Sequence, residues 1–279
     1  MTDQANKPEK AYKNLRFLVS REARVLRILS EYLEPRSRFM HYDITDTVIM
    51  FGSARAISGE QARAELETAK ASGDEAAVGQ AERRLRLSRY YDDTRELAKR
   101  ITEWSKSLPG KQKRFIVTSG GGPGLMEAAN RGASEAKGLS VGLGISLPEE
   151  PGVNGWATRE LAFEFHYFFM RKFWFVYLAK AAIVLPGGFG TMDELFELLT
   201  LVQTETVRRP LPIILYGRDF WEGVLDLDAL GDWGTISPED LELFKVCDSV
   251  DEAFETLTSE LLRLYPALET ESYDPNPDA

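Results

Sequence analysis

The chain has little material for a metal centre or a disulfide. Cys247 is the only cysteine and His41 and His166 are the only histidines. One cysteine excludes an intrachain disulfide and a thiolate metal site, and two histidines argue against a histidine-rich centre. Positive charge is also short, with a formal net charge of −10 over 279 residues. That balance argues against a protein that grips nucleic acid or an anionic membrane through bulk electrostatics, so an anionic ligand must find a local basic cluster. Long apolar runs are missing too. The longest, residues 163–182, is interrupted by Glu164, His166, Arg171, Lys172 and Lys180 and is no membrane span. Residues 1–13 are polar, lack the apolar core of a signal peptide and are expected to form a disordered tail. The expected location is the cytoplasm. Several catalytic motifs are absent. The dinucleotide fingerprint G-x-G-x-x-G fails at Leu125 and Asp193, no P-loop occurs, and there is neither a G-x-S-x-G elbow nor an obvious Cys–His pair. A dehydrogenase, a P-loop NTPase and an α/β-hydrolase are therefore disfavoured.

What is present is an alternation of apolar strands and helical stretches. Thr47-Val-Ile-Met-Phe51 is apolar nearly throughout, as a parallel strand covered on both faces should be. Further strands are expected at residues 114–118, 139–146, 181–185, 211–216 and 244–247, with a short one within 159–165. Between them lie helical stretches at 14–32, 125–137, 167–180, 191–204, 219–225 and 250–265. Residues 58–107, dominated by Ala, Glu, Arg and Lys, favour a helical insert broken near Gly73 and Gly79. Within it the charge run at 82–86 reads as a solvated face. The tail 269–279 is acidic. This order predicts an α/β fold: a doubly wound parallel sheet with helices on both faces, in a single domain over 14–268.

Ligands in such sheets bind at the carboxyl ends of the strands. Three glycine turns fall there: Gly52-Ser-Ala-Arg55, Ser119-Gly-Gly-Gly-Pro-Gly124 and Pro186-Gly-Gly-Phe-Gly190. The third is expected to lead into a helix starting at Thr191. A glycine turn before a helix leaves backbone N–H groups pointing outward beside the positive end of the helix dipole, a seat for a phosphate or another anion. Pro123 suits the first turn of the helix after the second. Two charged residues carry alternatives. Arg171 sits in a helix apolar on nearly every side, where an idle charge is costly. It must meet a ligand anion, solvent or a carboxylate, Glu164 and Glu194 being the nearest choices. Glu194 could equally close a capping box with Thr191, and on spacing alone that reading fits better. Ser53 could be only a turn residue, and the glycines at 120–122 could serve tight packing.

Taken together, the elements resemble a known family, the LOG ("Lonely Guy") proteins, cytokinin riboside 5′-monophosphate phosphoribohydrolases and their bacterial relatives. Pro186-Gly-Gly-Phe-Gly-Thr-Met-Asp-Glu194 matches the family's P-G-G-x-G-T-x-x-E, and Arg171-Lys172 its R-K pair. Ser119-Gly-Gly-Gly-Pro-Gly-Leu-Met-Glu127 and Phe51-Gly-Ser53 complete the pattern, which covers residues 45–225. The resemblance implies a Rossmann-like, usually dimeric protein that hydrolyses the N-glycosidic bond of a nucleoside 5′-monophosphate. It makes Arg171 and Glu194 the catalytic pair and puts the 5′-phosphate on the turn of Gly187, Gly188, Gly190 and Thr191. Gly52, Ser53, Arg55, Gly121, Gly122 and Lys172 join the nucleotide-binding set. No cofactor or metal is implied. Relatives have often carried a lysine decarboxylase label, but nothing in the sequence argues for pyridoxal chemistry. Two departures stand out: Phe168-Phe-Met-Arg-Lys172 lacks the His and Glu of the family's M-H-E-R-K, and the 58–107 insert is longer than in the short plant-type enzymes. The aromatics of 167–179 suggest a homodimer interface. The loop at 148–158 is expected to contact the base, and it carries no readable code. The alternative on the same fold is a carrier that binds a nucleotide or phosphorylated cofactor without turnover.

Overall fold

A computed structural model describes residues 8–110, 113–146 and 152–265. The chain begins with a 3₁₀ turn at Ala11–Lys13, α1 (Leu15–Leu18) and α2 (Arg24–His41), followed by β1 (Thr47–Phe51). A helical hairpin, α3 (Gly59–Ser72) and α4 (Glu75–Ser107), leads to β2 (Ile116–Ser119), α5 (Leu125–Glu135), β3 (Ser140–Ile145) and β4 (Ala162–Phe165). The second half runs α6 (Phe168–Tyr177), β5 (Ala179–Val184), α7 (Phe189–Gln203), β6 (Ile213–Tyr216), α8 (Arg218–Val224), α9 (Leu227–Asp232), β7 (Phe244–Cys247) and α10 (Val250–Leu264). The seven strands formed by the described residues are all parallel and lie in the order β4-β3-β2-β1-β5-β6-β7. The expected doubly wound α/β sheet is what forms.

The five inner strands are buried on both sides, so their alternating residues feed two separate cores. Val48, Met50, Val117, Ala181 and Ile183 face α4, α5 and α10. Ile49, Phe51, Ala182 and Val184 face α2, α6, α7 and α8. Strand order reverses between β1 and β5, and there the chain leaves the sheet in opposite directions and opens a crevice at the carboxyl edge.

Several local expectations are corrected. The polar tail is not wholly without structure, since Ala11–Lys13 forms a turn; residues 1–7 and the acidic stretch 269–279 lie outside the described residues. The stretch 14–32 is broken after Leu18, and α2 runs on to His41 with Pro35 inside it. The hairpin breaks only at Gly73, which sits at φ 70° beside the Asp74 N-cap, whereas Gly79 lies within α4. Helix α6 stops at Tyr177, so that Ala179 and Lys180 belong to β5. Helix α6 is also less buried than its composition suggests. Met170, Trp174 and Phe175 enter the core, but Phe168, Phe169, Phe173 and Tyr177 remain exposed.

Helix α2 steadies α6. The carboxylate of Glu31 accepts hydrogen bonds from the N–H groups of His166 (2.8 Å) and Tyr167 (3.2 Å) at the entry to α6. Its carbonyl accepts from the Trp174 indole at 2.8 Å. A segment outside the sheet therefore fixes the helix that carries Arg171.

Candidate active site

The turns after β1, β2 and β5 meet at Ser53. Its N–H donates to the Pro186 carbonyl at 3.0 Å, and its own carbonyl accepts from the Leu125 N–H at 2.9 Å. Its hydroxyl accepts the Arg55 N–H at 3.1 Å, which makes the turn itself. Gly124 is required at this junction. It holds φ at 70°, and a Cβ there would stand 2.3 Å from the Ser53 carbonyl oxygen. Pro123 accordingly lies before the N-cap Gly124 and not in the first turn of α5.

Beside this junction is a cleft of about 820 Å³. Its walls are Gly52, Ser53, Ala54 and Arg55 from the first turn and Gly120 and Met126 from the second. Residues 187–192 and Glu194 come from the third, with Arg171 and Phe168 from α6. Ile145, Leu87 of α4 and Phe220, Val224 and Leu225 of the α8 region add an apolar side.

Helix α7 begins two residues earlier than the motif implies. Gly188 is its N-cap and Phe189 its first residue, with no side-chain cap. Thr191 is therefore inside the first turn and buried, which removes the capping-box reading of Glu194. The start moves because Gly188 in extended backbone and the small Gly190 let the helix nucleate directly behind the turn. The outward N–H groups of Phe189, Gly190 and Thr191 thus open onto exposed residues of the cleft rim, at the positive end of a fifteen-residue helix.

Glu194 lies deeper, with 14% of its side chain accessible, opposite Arg171 at 11%. Arg171 Nη1 is 3.5 Å from Glu194 Oε1. Arg171 Nε donates to the Leu143 carbonyl at 2.7 Å, which aims the guanidinium along the cleft floor. Of the two carboxylates considered for Arg171, Glu194 is the one it meets; Glu164 instead accepts from the Ser146 hydroxyl. Burial pushes the Glu194 carboxyl up to about 7 even against the attraction of Arg171, with Asp193 and Glu197 adding to the rise and Lys172 opposing it. A carboxyl balanced near neutrality in a cleft, facing a guanidinium, suits proton transfer or stabilisation of a developing cation.

Of the sequence-derived set, Gly52, Ser53, Arg55, Arg171, Gly187, Gly188, Gly190, Thr191 and Glu194 line one cleft. Gly121, Gly122 and Lys172 do not. The carbonyls of Gly121 and Gly122 turn away to accept from the Asn154 side chain at 3.0 and 3.1 Å. Their neighbour Gly120 faces the cleft instead, because a Cβ there would stand 2.6 Å from Arg171 Nη2 and 2.6 Å from the Met126 sulfur. Lys172 lies against α7, paired with Asp193 and Glu197. Residues 148–151 of the anticipated base loop lie outside the described residues, and residues 152–158 do not reach the cleft wall. The apolar wall from Leu87 and the α8 region was not anticipated.

Comparison with known proteins agrees with the motifs. A family model described as "Possible lysine decarboxylase" matches residues 126–257. A cytokinin riboside 5′-monophosphate phosphoribohydrolase of Mycobacterium tuberculosis is 39% identical over 80 residues, 27% of this chain and 40% of that protein. One of Rhodococcoides fascians is 26% identical over 156 residues, 53% of this chain and 75% of its own. The chain thus spans less than half the length of the first of these relatives. Among solved structures, the Moco carrier protein from Chlamydomonas reinhardtii aligns with a TM-score of 0.45 at 16% identity, over 78% of this chain and 99% of its own. A decarboxylase working through pyridoxal phosphate needs a lysine amine at its centre. No described residue lining this cleft is a lysine, so the residues present do not fit that cofactor.

Proposed function

We propose that this relative of the LOG proteins hydrolyses the N-glycosidic bond of a nucleoside 5′-monophosphate, giving free base and ribose 5-phosphate. The observation that carries the reading is that an open helix N-terminus and a buried Arg171–Glu194 pair share one cleft at the β1/β5 switch point. The phosphate sits on the N–H groups of Phe189, Gly190 and Thr191, where the dipole favours an anion. The ribose then runs inward along α7 toward Glu194.

Breaking the C1′–N bond builds positive charge on the ribose, and its electron pair leaves with the base, which takes up a proton. A carboxylate beside C1′ stabilises that charge and accepts a proton from the incoming water. Glu194 fills this role in its ionised form, while Arg171 orients the nucleotide and balances charge on the departing base. With the Glu194 carboxyl near 7, turnover rises as pH passes through neutrality. The test is a panel of nucleoside 5′-monophosphates with released base as the readout. Release from at least one member, with a rate that climbs between pH 6 and 8, is the expected result. Tight binding without release would convert the reading to that of a carrier.

The exposed aromatics of α6 extend the proposal to assembly. Phe169, Phe173 and Tyr177 are 55%, 37% and 37% accessible and, spaced four residues apart, share one face of α6. Large apolar patches of this kind mark interaction sites, and a two-fold pair of identical faces is the simplest way to cover one. Light scattering is expected to give twice the chain mass of 31.4 kDa. A mass of one chain would remove the homodimer from the proposal.

A further inference from the structure

Lys172 follows Arg171 in the chain but does not share its cleft. Consecutive side chains on a helix diverge by about 100°, so only one of the two can point at the cleft floor. Arg171 takes that direction. Lys172 Nζ instead lies 2.9 Å from Asp193 Oδ1 and 3.1 Å from Glu197 Oε2. These carboxylates bracket Glu194 on α7, one immediately before it and one a turn later. Three acidic side chains thus crowd one stretch of α7, and the cation from α6 answers the outer two while Arg171 answers the inner one.

We propose that Lys172 is a positioning residue, which neutralises the carboxylates flanking Glu194 and ties α7 to α6 in the register that sets Glu194 against Arg171. Its bearing on turnover rests on the reading of Glu194 as the catalytic carboxylate. The charged groups around Glu194 are Arg171 and Lys172 from α6, Asp193 and Glu197 from its own helix, and Arg55 on the turn after β1, which lines the same cleft. With Lys172 removed, the two outer carboxylates act on Glu194 without compensation, and the proton on Glu194 is held more tightly. A phosphate-binding lysine makes a different forecast. Its loss weakens nucleotide binding and leaves the Glu194 titration where it was.

The experiment titrates Glu194 by carbon-13 NMR of labelled glutamate carboxyls, with Glu194→Gln assigning the resonance, in the wild type, Lys172→Met and Lys172→Arg. In the Met variant the midpoint is expected to move up by about one pH unit, which lowers base release about fivefold at pH 7 and leaves it unchanged at pH 9. KM stays fixed, and the Arg variant restores the wild-type midpoint. A second variant, Asp193→Asn with Glu197→Gln, keeps Lys172 and is expected to move the midpoint down. It decides the matter should Lys172→Met fail to fold. A tenfold rise in KM with an unmoved titration would overturn the proposal in favour of phosphate binding, and no change in either would reduce Lys172 to a surface ion pair. If the wild type releases no base at all, the hydrolase reading fails, while the titration still decides the role of Lys172.

Discussion

Glu194→Gln is expected to lower base release at least about a hundredfold, the usual cost of one preorganised charged group, and to raise the melting temperature at pH 8. The two effects share one cause. Burial raises the Glu194 carboxyl to about 7 from an ordinary value of 4.5, so the folded chain holds this proton more tightly than the unfolded chain does. Such a group contributes stability that is fully present below pH 4.5 and is lost as pH rises through 7. At pH 8 the ionised side chain therefore weighs against folding by an amount on the order of 3 kcal/mol. Glutamine keeps the shape and an oxygen toward Arg171 but carries no charge. The melting curves of the two proteins should coincide at pH 4 and separate by several degrees at pH 8. A glutamine variant that turns over normally, or that melts below the wild type at pH 8, would sink the assignment.

Gly132→Ala should be among the most destabilising single methyl additions in the fold. Gly132 lies where α5 crosses α4, and a Cβ there would stand 2.0 Å from the Arg95 carbonyl oxygen and 2.9 Å from the Lys99 nitrogen. Both are backbone atoms, so no rotamer change relieves the contact and one helix must shift. Overpacking of this kind costs about 3 kcal/mol, which for a chain of this size lowers the melting temperature by roughly 6–12 °C. The shift also reaches the cleft, because α5 carries Gly124 and Met126 at its start. Base release should fall with stability. Gly79→Ala is the control: among the described residues, its Cβ would meet only Arg83 Nη1 within 4 Å, at 3.7 Å. In that mid-helix position it should gain up to about 1 kcal/mol. A fall of less than about 2 °C for Gly132→Ala, measured by calorimetry, would show that the helices can part at little cost.

The strands were legible because burial on both faces leaves apolar runs with no alternative use. Thr47–Phe51, buried throughout, forms where it was expected, and so does the edge strand Phe244–Cys247, although it is not buried on both faces. The glycine turn ahead of α7 was legible as a candidate anion seat, and the meeting of Glu194 with Arg171 from the motif that holds them. What the sequence concealed was direction. Arg171 and Lys172 are adjacent letters, yet helical geometry sends one to the cleft and the other to the flank of α7. Gly120, Gly121 and Gly122 look interchangeable, yet only Gly120 faces the ligand side, because Asn154 claims the carbonyls of the other two. The reach of Leu87 into the cleft depends on how a long hairpin lies across the sheet, and no local pattern records that. Helix α2 runs past the expected end at residue 32 and holds a buried Pro35, a breaker tolerated where surrounding contacts hold the helix together.

The β1/β5 seam also orders events during synthesis. Thr47 in β1 pairs with Ala179 in β5, so the two walls of the cleft are made far apart in time as the chain leaves the ribosome. Until β5 arrives, β1 is a bare edge strand whose residues Val48, Ile49 and Met50 are all destined for full burial. An emerging chain at that stage can pair β1 through β4 and pack the helical hairpin, and it exposes a sticky border. The docking of β5 covers β1, moves the open edge to β5 until β6 pairs with it, and delivers the turn that leads into α7. For a nascent chain the bare edge therefore travels outward, from β1 to β5 to β6, until β7 completes the sheet.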